Sequence, residues 1–172
     1  LRIEYDFQRL DEYQKGVNIL YIQATGDGQG ECTGDIRQWS HLRTQAAMSD
    51  YFQNMHTYHI SYATDKDDYI RGRRYLPLAN RRLAGTQLSG EIKNAGLFND
   101  QQWIHVTVIK REQDLWVEFV HPDKTIRGHF RNLDKPSVTE GRVGLRLMPG
   151  RLSRFRNFRI MELPKGGKQQ PD

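Results

Sequence analysis

The residues best suited to chemistry lie in one stretch, 56–75, which predicts two β-strands around an Asp-rich turn. Alternation along the first strand places His59 on a polar face and Ile60 on an apolar face. The second strand carries Arg71 and Arg73, and guanidinium groups bind planar carboxylates in a bidentate geometry. This stretch therefore predicts a surface that binds an anionic group. A solvated hairpin with a basic outer face is the alternative interpretation.

β-Elimination on an acidic sugar is a reaction that these residue types can perform. A lyase of this kind neutralises the uronate carboxylate, removes the C5 proton and protonates the leaving oxygen. We assign catalytic roles to His59, Tyr21 and Arg71, although His59 fits a structural, hydrogen-bonded histidine equally well. The predicted substrate-binding residues are polar or aromatic and lie mostly on predicted strands: Gln23, Ser61, Tyr69, Arg73, His105 and Arg146. Tyr58 and Tyr62 share the apolar face and are predicted to be core residues.

Glycoside hydrolysis is an alternative reaction, and it requires two carboxyl groups roughly 5–9 Å apart. Glu112, Asp114 and Glu118 have a suitable spacing, but the first two fall in a predicted hairpin turn. We interpret this triad as coincidental. The turn at 65–68 has enough carboxylates for a structural Ca²⁺ ion but lacks the glycine and distal glutamate of an EF-hand loop. The sequence therefore predicts no cofactor and no catalytic metal.

Composition narrows the classes of partner. The chain of 172 residues has a net charge of +5, and 18 of its 26 basic residues are arginines. Acidic residues are interspersed with these arginines, so neither a nucleic-acid-binding arm nor a polybasic membrane patch is expected. No apolar run approaches the roughly 18 residues of a membrane span. The single cysteine, Cys32, excludes a disulfide within this chain.

Short alternating runs rich in aromatic and β-branched residues predict an all-β fold. The predicted strands are Arg2–Phe7, Val17–Thr25, Thr57–Ala63, Tyr69–Tyr75, Trp103–Arg111, Leu115–His121, Thr125–Asn132, Arg142–Leu147 and Ser153–Met161. Helical signals occur only in the connection 35–53, where Asp35 is a candidate cap for 36–42 and Ser49 precedes a short turn. We expect a two-sheet antiparallel jelly-roll sandwich over residues 1–162. Residues 163–172 are predicted to be a disordered tail.

Two segments resemble a known family. One is His59-Ile-Ser61-Tyr62, which follows a loop with Gly34-Asp35 and Tyr51; the other is Glu140-Gly-Arg-Val-Gly144-Leu-Arg146-Leu-Met148, followed by 154–160. Together they resemble a bacterial family of unknown function with a concanavalin A-like lectin/glucanase jelly roll, found in gene clusters for the use of pectin and other uronate polysaccharides. The resemblance implies the fold and the substrate class, and no mechanism. It also implies that further N-terminal strands precede Leu1.

The sequence thus predicts a carbohydrate-active protein whose partner is an acidic polysaccharide or oligosaccharide. A polysaccharide lyase is the preferred form. A non-catalytic, lectin-like binding module is the first alternative, and a glycoside hydrolase is the second. Arg146 is a candidate residue of the ligand-binding groove because Gly144, two positions before it, removes a side chain where a ligand could approach; a structural salt bridge is an equally good interpretation of Arg146. The sequence does not determine an oligomeric state.

Overall fold

Nine β-strands account for most of the regular structure in the computed structural model, which describes residues 1–12, 16–45, 47–63, 68–77 and 83–164. They are β1 (Arg2–Arg9), β2 (Asn18–Gly26), β3 (Met55–Tyr62), β4 (Arg71–Tyr75), β5 (Ile104–Arg111), β6 (Asp114–Val120), β7 (Thr125–Phe130), β8 (Arg142–Leu147) and β9 (Ser153–Met161). Each coincides with a predicted strand to within about two residues at either end, which is the usual uncertainty of strand boundaries. The all-β prediction is confirmed.

The strands form two antiparallel sheets. Sheet A has the order β7-β6-β5-β1-β9, and sheet B has the order β4-β3-β2-β8. The two sheets pack face to face, as the predicted jelly-roll sandwich requires. Sheet A contains five strands and sheet B four, and β9 and β8 form one edge of each.

Apolar side chains at alternate positions of each strand point inward and fill the space between the sheets. From sheet A, β1 contributes Ile3, Tyr5 and Phe7, while sheet B contributes apolar side chains of β2 and β3. Tyr58 and Tyr62 are fully buried here, so their assignment to the core is confirmed. The Tyr5 hydroxyl donates to the Tyr62 hydroxyl at 3.0 Å, which satisfies a polar group inside an aromatic core.

The connection 35–53 contains less helix than the sequence predicts. A 3₁₀ turn spans Ser40–Arg43 and a single α-helical turn, α1, spans Ser49–Phe52. Of the helix predicted over 36–42, only the start of this 3₁₀ turn forms; before it, the Asp35 carboxylate accepts from the Arg37 N–H in a tight turn and also binds Arg142. Within the described ranges, no helix is long and apolar enough to cross a membrane. The predicted tail lies outside the described residues from position 165 onward.

Two bulges redirect side chains along the strands. In β2 the register shifts between Ile22 and Thr25, where Gln23 has a φ of 54°. In β9 Asn157 has a φ of 54°, and the pairing with β1 shifts at the same level. An extra residue on one strand bends that strand and changes which face the following residues occupy. A bulge at this place in β9 agrees with the irregular alternation of its sequence.

Gly72 provides a test of the packing between the sheets. It lies on the inner face of β4, and a Cβ added there would lie 2.6 Å from Cγ of Phe130, a fully buried ring of β7. We expect Gly72→Ala to lower the free energy of unfolding by about 1–3 kcal/mol, because the ring has no free space to occupy. Urea unfolding measures the change. In the control, Gly34→Ala, the added methyl group meets nothing within 4 Å. Equal stability of the two variants would contradict this packing.

Candidate functional site

Three rings from three strands meet on the outer face of sheet B. Tyr21 of β2 is paired with His59 of β3, and Tyr75 of β4 lies beside them. The His59 ring centroid lies 5.5 Å from that of Tyr21 and 5.0 Å from that of Tyr75. We refer to Tyr21, His59 and Tyr75 as the Tyr–His cluster. Strict alternation brings them together, because each lies on the outward position of its own strand.

The polar atoms of the Tyr–His cluster are buried and lack hydrogen bonds. His59 is 3% exposed, and neither of its ring nitrogens has a partner among the described residues. The same holds for the hydroxyls of Tyr21 and Tyr75. Burial raises the pKa of the Tyr21 hydroxyl, and Arg146 and Tyr75 lie near enough to oppose that rise. Buried polar groups normally find partners, so four unpartnered atoms in one place indicate a site for a ligand or for ordered water.

Two arginines flank the Tyr–His cluster and form no ion pair with a carboxylate among the described residues, although Glu91, the partner of Arg71, lies near enough to Arg73 to oppose the lowering of its pKa. Arg73 is paired across the sheet with His59 and donates to Oγ1 of Thr86 at 3.1 Å. Arg146 of β8 lies over the Tyr51 ring, 3.9 Å from its centroid, and donates to the sulfur of Met48. Their charges are therefore available to an anion that reaches this face.

These arginines set the electrostatics of the cluster. Burial, followed by Arg73, Arg146 and Arg71, holds the pKa of His59 well below its ordinary value of 6.5. Burial raises the pKa of Tyr21 to about 12, partly opposed by Arg146, and burial also raises that of Tyr75. At neutral pH the rings are uncharged, so the site carries the positive charge of its arginines.

The connection 35–53 covers much of this face, so the open groove expected from the sequence is only partly present. The Tyr51 ring stacks on Tyr21 at 5.6 Å with an interplanar angle of 5°. Trp39 and Phe52 pack nearby and make the outer face of sheet B a second hydrophobic cluster. An opening remains at Gly144, the residue paired with Tyr21, because a Cβ added there would meet nothing within 4 Å.

Comparison with known proteins identifies a fold. No family model and no curated protein matches the chain. A solved structure described as a protein of unknown function with a galectin-like fold, from Bacillus subtilis, matches with a TM-score of 0.62. The two proteins are 18% identical, and the match covers 91% of this chain and 69% of the other. The chain has a galectin-like jelly-roll fold. The uronate-linked family named above remains a prediction, as does its gene-cluster context.

The other predicted site residues fall into two groups. Arg71, Ser61 and Tyr69 lie near the Tyr–His cluster, but Arg71 is already paired with Glu91 and lies 3.9 Å from the Tyr69 ring centroid. Ser61 lies beside Arg71, with its Oγ 3.5 Å from the Arg71 carbonyl oxygen. Arg71 is therefore less available to a ligand than the prediction assumed.

Gln23 and His105 do not join the cluster. Gln23 occupies the β2 bulge, and its side chain donates to the Thr139 carbonyl at 2.6 Å. His105 lies on sheet A, where its Nδ1 is 2.8 Å from a carboxylate oxygen of Asp6. Tyr75 and Tyr51 are the site residues that the prediction missed. Tyr75 has the same alternation as Arg71 and Arg73, so its position on this face was readable from the sequence.

The acidic residues considered for hydrolysis have structural partners. Asp114 accepts from the Asn132 N–H at 2.9 Å and lies 2.7 Å from Nε2 of His129. Glu118 pairs with Arg127. Glu112 lies in the turn before β6, as predicted. The interpretation of this triad as coincidental agrees with these contacts.

In the part of the chain that the structure describes, one group of residues that could hold a metal lies away from the Tyr–His cluster. Ligand atoms of Asp100, His121 and Asp123 lie within 4.8 Å of one another. Both nitrogens of His121 are already occupied, one by the Asp100 carboxylate at 2.7 Å and one by the Asp123 N–H at 3.1 Å. Of the turn considered for Ca²⁺, only Asp68 lies within the described residues, and its carboxylate accepts from the Gly96 N–H. The Ca²⁺ hypothesis stays a prediction.

A groove of about 790 Å³ opens beside the connection from β7 to β8. It is lined by the end of β2, by His56 and Arg74, and by residues 137–142. None of the residues predicted from the sequence as site residues lines it. The groove and the Tyr–His cluster are separate features of sheet B. His59 and Tyr75 point outward, and His56 and Arg74 occupy the alternate positions of the same strands, which face the other side of the sheet.

Proposed function

We propose that this protein binds uronate-containing polysaccharide or oligosaccharide at the Tyr–His cluster. One observation carries the proposal: Arg73 and Arg146, which form no ion pair among the described residues, flank four buried polar atoms that lack hydrogen bonds. A uronate offers a carboxylate to the arginines and hydroxyls to the histidine and tyrosines. One such sugar would supply both kinds of partner that this site lacks.

The rest of the site suits a sugar better than a bare inorganic anion. Tyr51 and Tyr21 form a stacked pair beside Arg146, and aromatic rings provide a broad apolar surface with a polar end. The opening at Gly144 lies next to Tyr21 on the neighbouring strand. A ring that enters there would meet the aromatic pair first and the arginines around it. The galectin-like fold fits a carbohydrate-binding function.

β-Elimination is the second candidate function, since His59 and Tyr21 are a possible base and acid. The neutral His59 imidazole can accept a proton, and the protonated Tyr21 hydroxyl can donate one. Proton transfer is efficient when the pKa of the group lies near the working pH. A histidine pKa far below 6.5 and a tyrosine pKa of about 12 both miss that condition. Binding is therefore the function that the geometry supports best.

Calorimetric titration with pectic and alginate-like oligosaccharides, each compared with its methyl-esterified form, tests the proposal. Esterification removes the charge and leaves the sugar otherwise unchanged. We expect the free acids to bind roughly ten- to a hundredfold more tightly, as charge-assisted hydrogen bonds require. Equal affinity for acid and ester would overturn uronate recognition. The ultraviolet absorbance of unsaturated uronate, followed in the same samples, would rise only if the protein also catalyses elimination.

A further inference from the structure

Two buried cations lie close together between the sheets, on the side of sheet B that faces away from the Tyr–His cluster: Arg74 of β4 and Lys110 of β5 in sheet A. Arg74 is 2% exposed and Lys110 is 5% exposed. Both approach the Tyr58 ring, at 5.8 and 5.2 Å from its centroid. Like charges at such a position repel each other, and Arg74 contributes to the lowered pKa of Lys110.

The hydrogen-bond partners of these two cations are neutral. Nε of Arg74 donates to the Pro136 carbonyl at 2.9 Å, and its Nη1 donates to the Tyr75 carbonyl. Nζ of Lys110 donates to Oγ of Ser137 at 3.1 Å and to the Val138 carbonyl at 2.7 Å. In the described ranges, no carboxylate forms an ion pair with either residue.

An uncompensated pair of buried charges is costly to a fold. Burial, and then Arg74, lowers the pKa of Lys110 to about 8, while burial lowers that of Arg74 to about 10. Both residues therefore remain mainly charged at neutral pH. Buried charges in proteins are normally paired or bind an ion. An anion from solution can act as a partner only where solvent reaches one of the two cations.

The 790 Å³ groove provides that access, because Arg74 lines it. His56 lines it too, and its Nδ1 is buried without a hydrogen-bond partner among the described residues. The groove wall also contains hydroxyl groups, from Thr25, Ser137 and Thr139. Arg142 and Asp35 at the rim bind each other in a bidentate pair at 2.6 and 2.7 Å, so Asp35 does not neutralise Arg74.

We propose that this groove is a second binding site, which takes a small oxyanion such as a sulfate, phosphate or carboxylate group. Arg74 supplies the direct charge, the imidazole of His56 donates one hydrogen bond, and threonine hydroxyls complete the shell. Lys110, behind residues 137–138, adds positive potential without touching the anion. The site is independent of uronate recognition at the Tyr–His cluster.

NMR titration of the intact protein with sodium sulfate, phosphate or acetate, against sodium chloride at equal ionic strength, tests this site. We expect saturable amide shifts in residues 24–26 and 137–142 with at least one oxyanion and none with chloride. The comparison among the three salts identifies the preferred group. Arg74→Gln should weaken the binding about tenfold or more, since it removes a charged hydrogen-bond donor. Arg127→Gln, on sheet A, is the matched control and should have no effect.

The pH dependence of binding gives a readout that a structural role of His56 would not produce. Burial and then Arg74 lower the pKa of His56 in the free protein, opposed by Asp27. A bound anion would raise that pKa, so affinity should increase as the pH falls below 7. The other charged groups of the groove are Asp35, Glu140 and Arg142. Because Asp35 and Arg142 bind each other, the pKa of Asp35 lies below its ordinary value and that of Arg142 lies above. The Asp35–Arg142 ion pair therefore stays charged as the pH falls below 7.

His56→Gln should bind the anion more weakly and lose the pH dependence, and it serves as the main variant if Arg74→Gln does not fold. Absence of saturable shifts up to about 0.15 M salt would overturn the proposal. So would an unchanged affinity in a folded Arg74→Gln or His56→Gln protein.

Discussion

Replacing Asp11 by Asn is expected to lower the free energy of unfolding by about 3–5 kcal/mol, because it leaves two buried arginines without their carboxylate. Oδ1 of Asp11 accepts from Nη1 of Arg151 at 2.8 Å and from Nε of Arg9 at 3.1 Å. Oδ2 accepts from the Leu152 N–H at 2.7 Å. These three side chains are almost entirely shielded from solvent, so water cannot replace the lost partner.

The effect should be large because Arg151 joins separate parts of the chain. Its Nη2 donates to the Gly16 carbonyl at 2.8 Å and to the Ala63 carbonyl at 2.6 Å. The side chain thus connects the residues before β2 and after β3 to the start of β9. Without the Asp11 carboxylate, the Arg151 side chain would be less well fixed, and its links to Asp11, Gly16 and Ala63 would all weaken.

Urea unfolding at neutral pH measures the change, with Asp35→Asn as the matched control. Asp35 also binds an arginine in a short bidentate pair, with Arg142, but that pair is exposed. Exposed ion pairs contribute little to stability, so the control should leave the unfolding midpoint nearly unchanged. A similar midpoint for the two variants would contradict the role of the buried cluster.

The pH dependence of the Asp11→Asn effect has a defined sign. Burial alone would raise the pKa of Asp11, but the Leu152 N–H, Arg151 and Arg9 outweigh it and lower that pKa below its ordinary value. The carboxylate therefore stabilises the fold fully above the unfolded pKa of about 3.9. That contribution disappears as the pH falls through the lower pKa of the folded state. The stability difference between wild type and variant should shrink accordingly in acid.

The strands were predictable because alternation is a local property of the sequence. The segment Arg142–Leu147 has the same ends in the prediction and in the structure. Its odd and even positions face opposite sides, since Val143 and Leu145 pack against the core while Gly144 is paired with the outward Tyr21. Each buried strand must place its apolar residues on one face, and this requirement leaves little freedom in the register.

The site was predictable only in part, because side-chain contacts between distant segments are not local. Sequence alternation places His59 and Arg73 on one face, and the structure brings Arg146, also predicted as a site residue, to the same face from a strand over seventy residues away. It could not reveal that Glu91 pairs with Arg71. Nor could it reveal that His105 belongs to the other sheet, because strand order depends on the whole topology.

The cover over the site has a similar explanation. The connection 35–53 has weak helical signals, and its turns form where tertiary contacts support them. Tyr51 packs on Tyr21, and Trp39 donates from its indole nitrogen to the Thr33 carbonyl at 3.0 Å. The first contact joins the connection to a strand thirty residues earlier in sequence, and the second holds the connection itself in shape. The polar face predicted from β3 alone is therefore the floor of a covered site.

Replacing Arg73 by Gln is expected to weaken uronate binding by roughly ten- to a hundredfold, because it removes a charged donor beside the Tyr–His cluster. Arg73 lies across the sheet from His59, and its described contacts are with a hydroxyl rather than with a carboxylate. The loss should fall on the free acid and spare the methyl ester. Calorimetric titration of both sugars measures this difference. Arg127→Gln, whose arginine pairs with Glu118 on sheet A, is the control and should retain full discrimination.

The pKa of His59 provides a second measurement of the same substitution, which does not depend on any ligand. After burial, Arg73 is the largest influence that lowers this pKa. Arg73→Gln should therefore raise the pKa of His59 toward its ordinary value, although burial keeps it below that value. NMR titration of the imidazole signals detects the change. A raised pKa with unaltered uronate affinity would mean that Arg73 lies beside His59 without taking part in recognition. An unchanged pKa would contradict the electrostatic arrangement of the site itself.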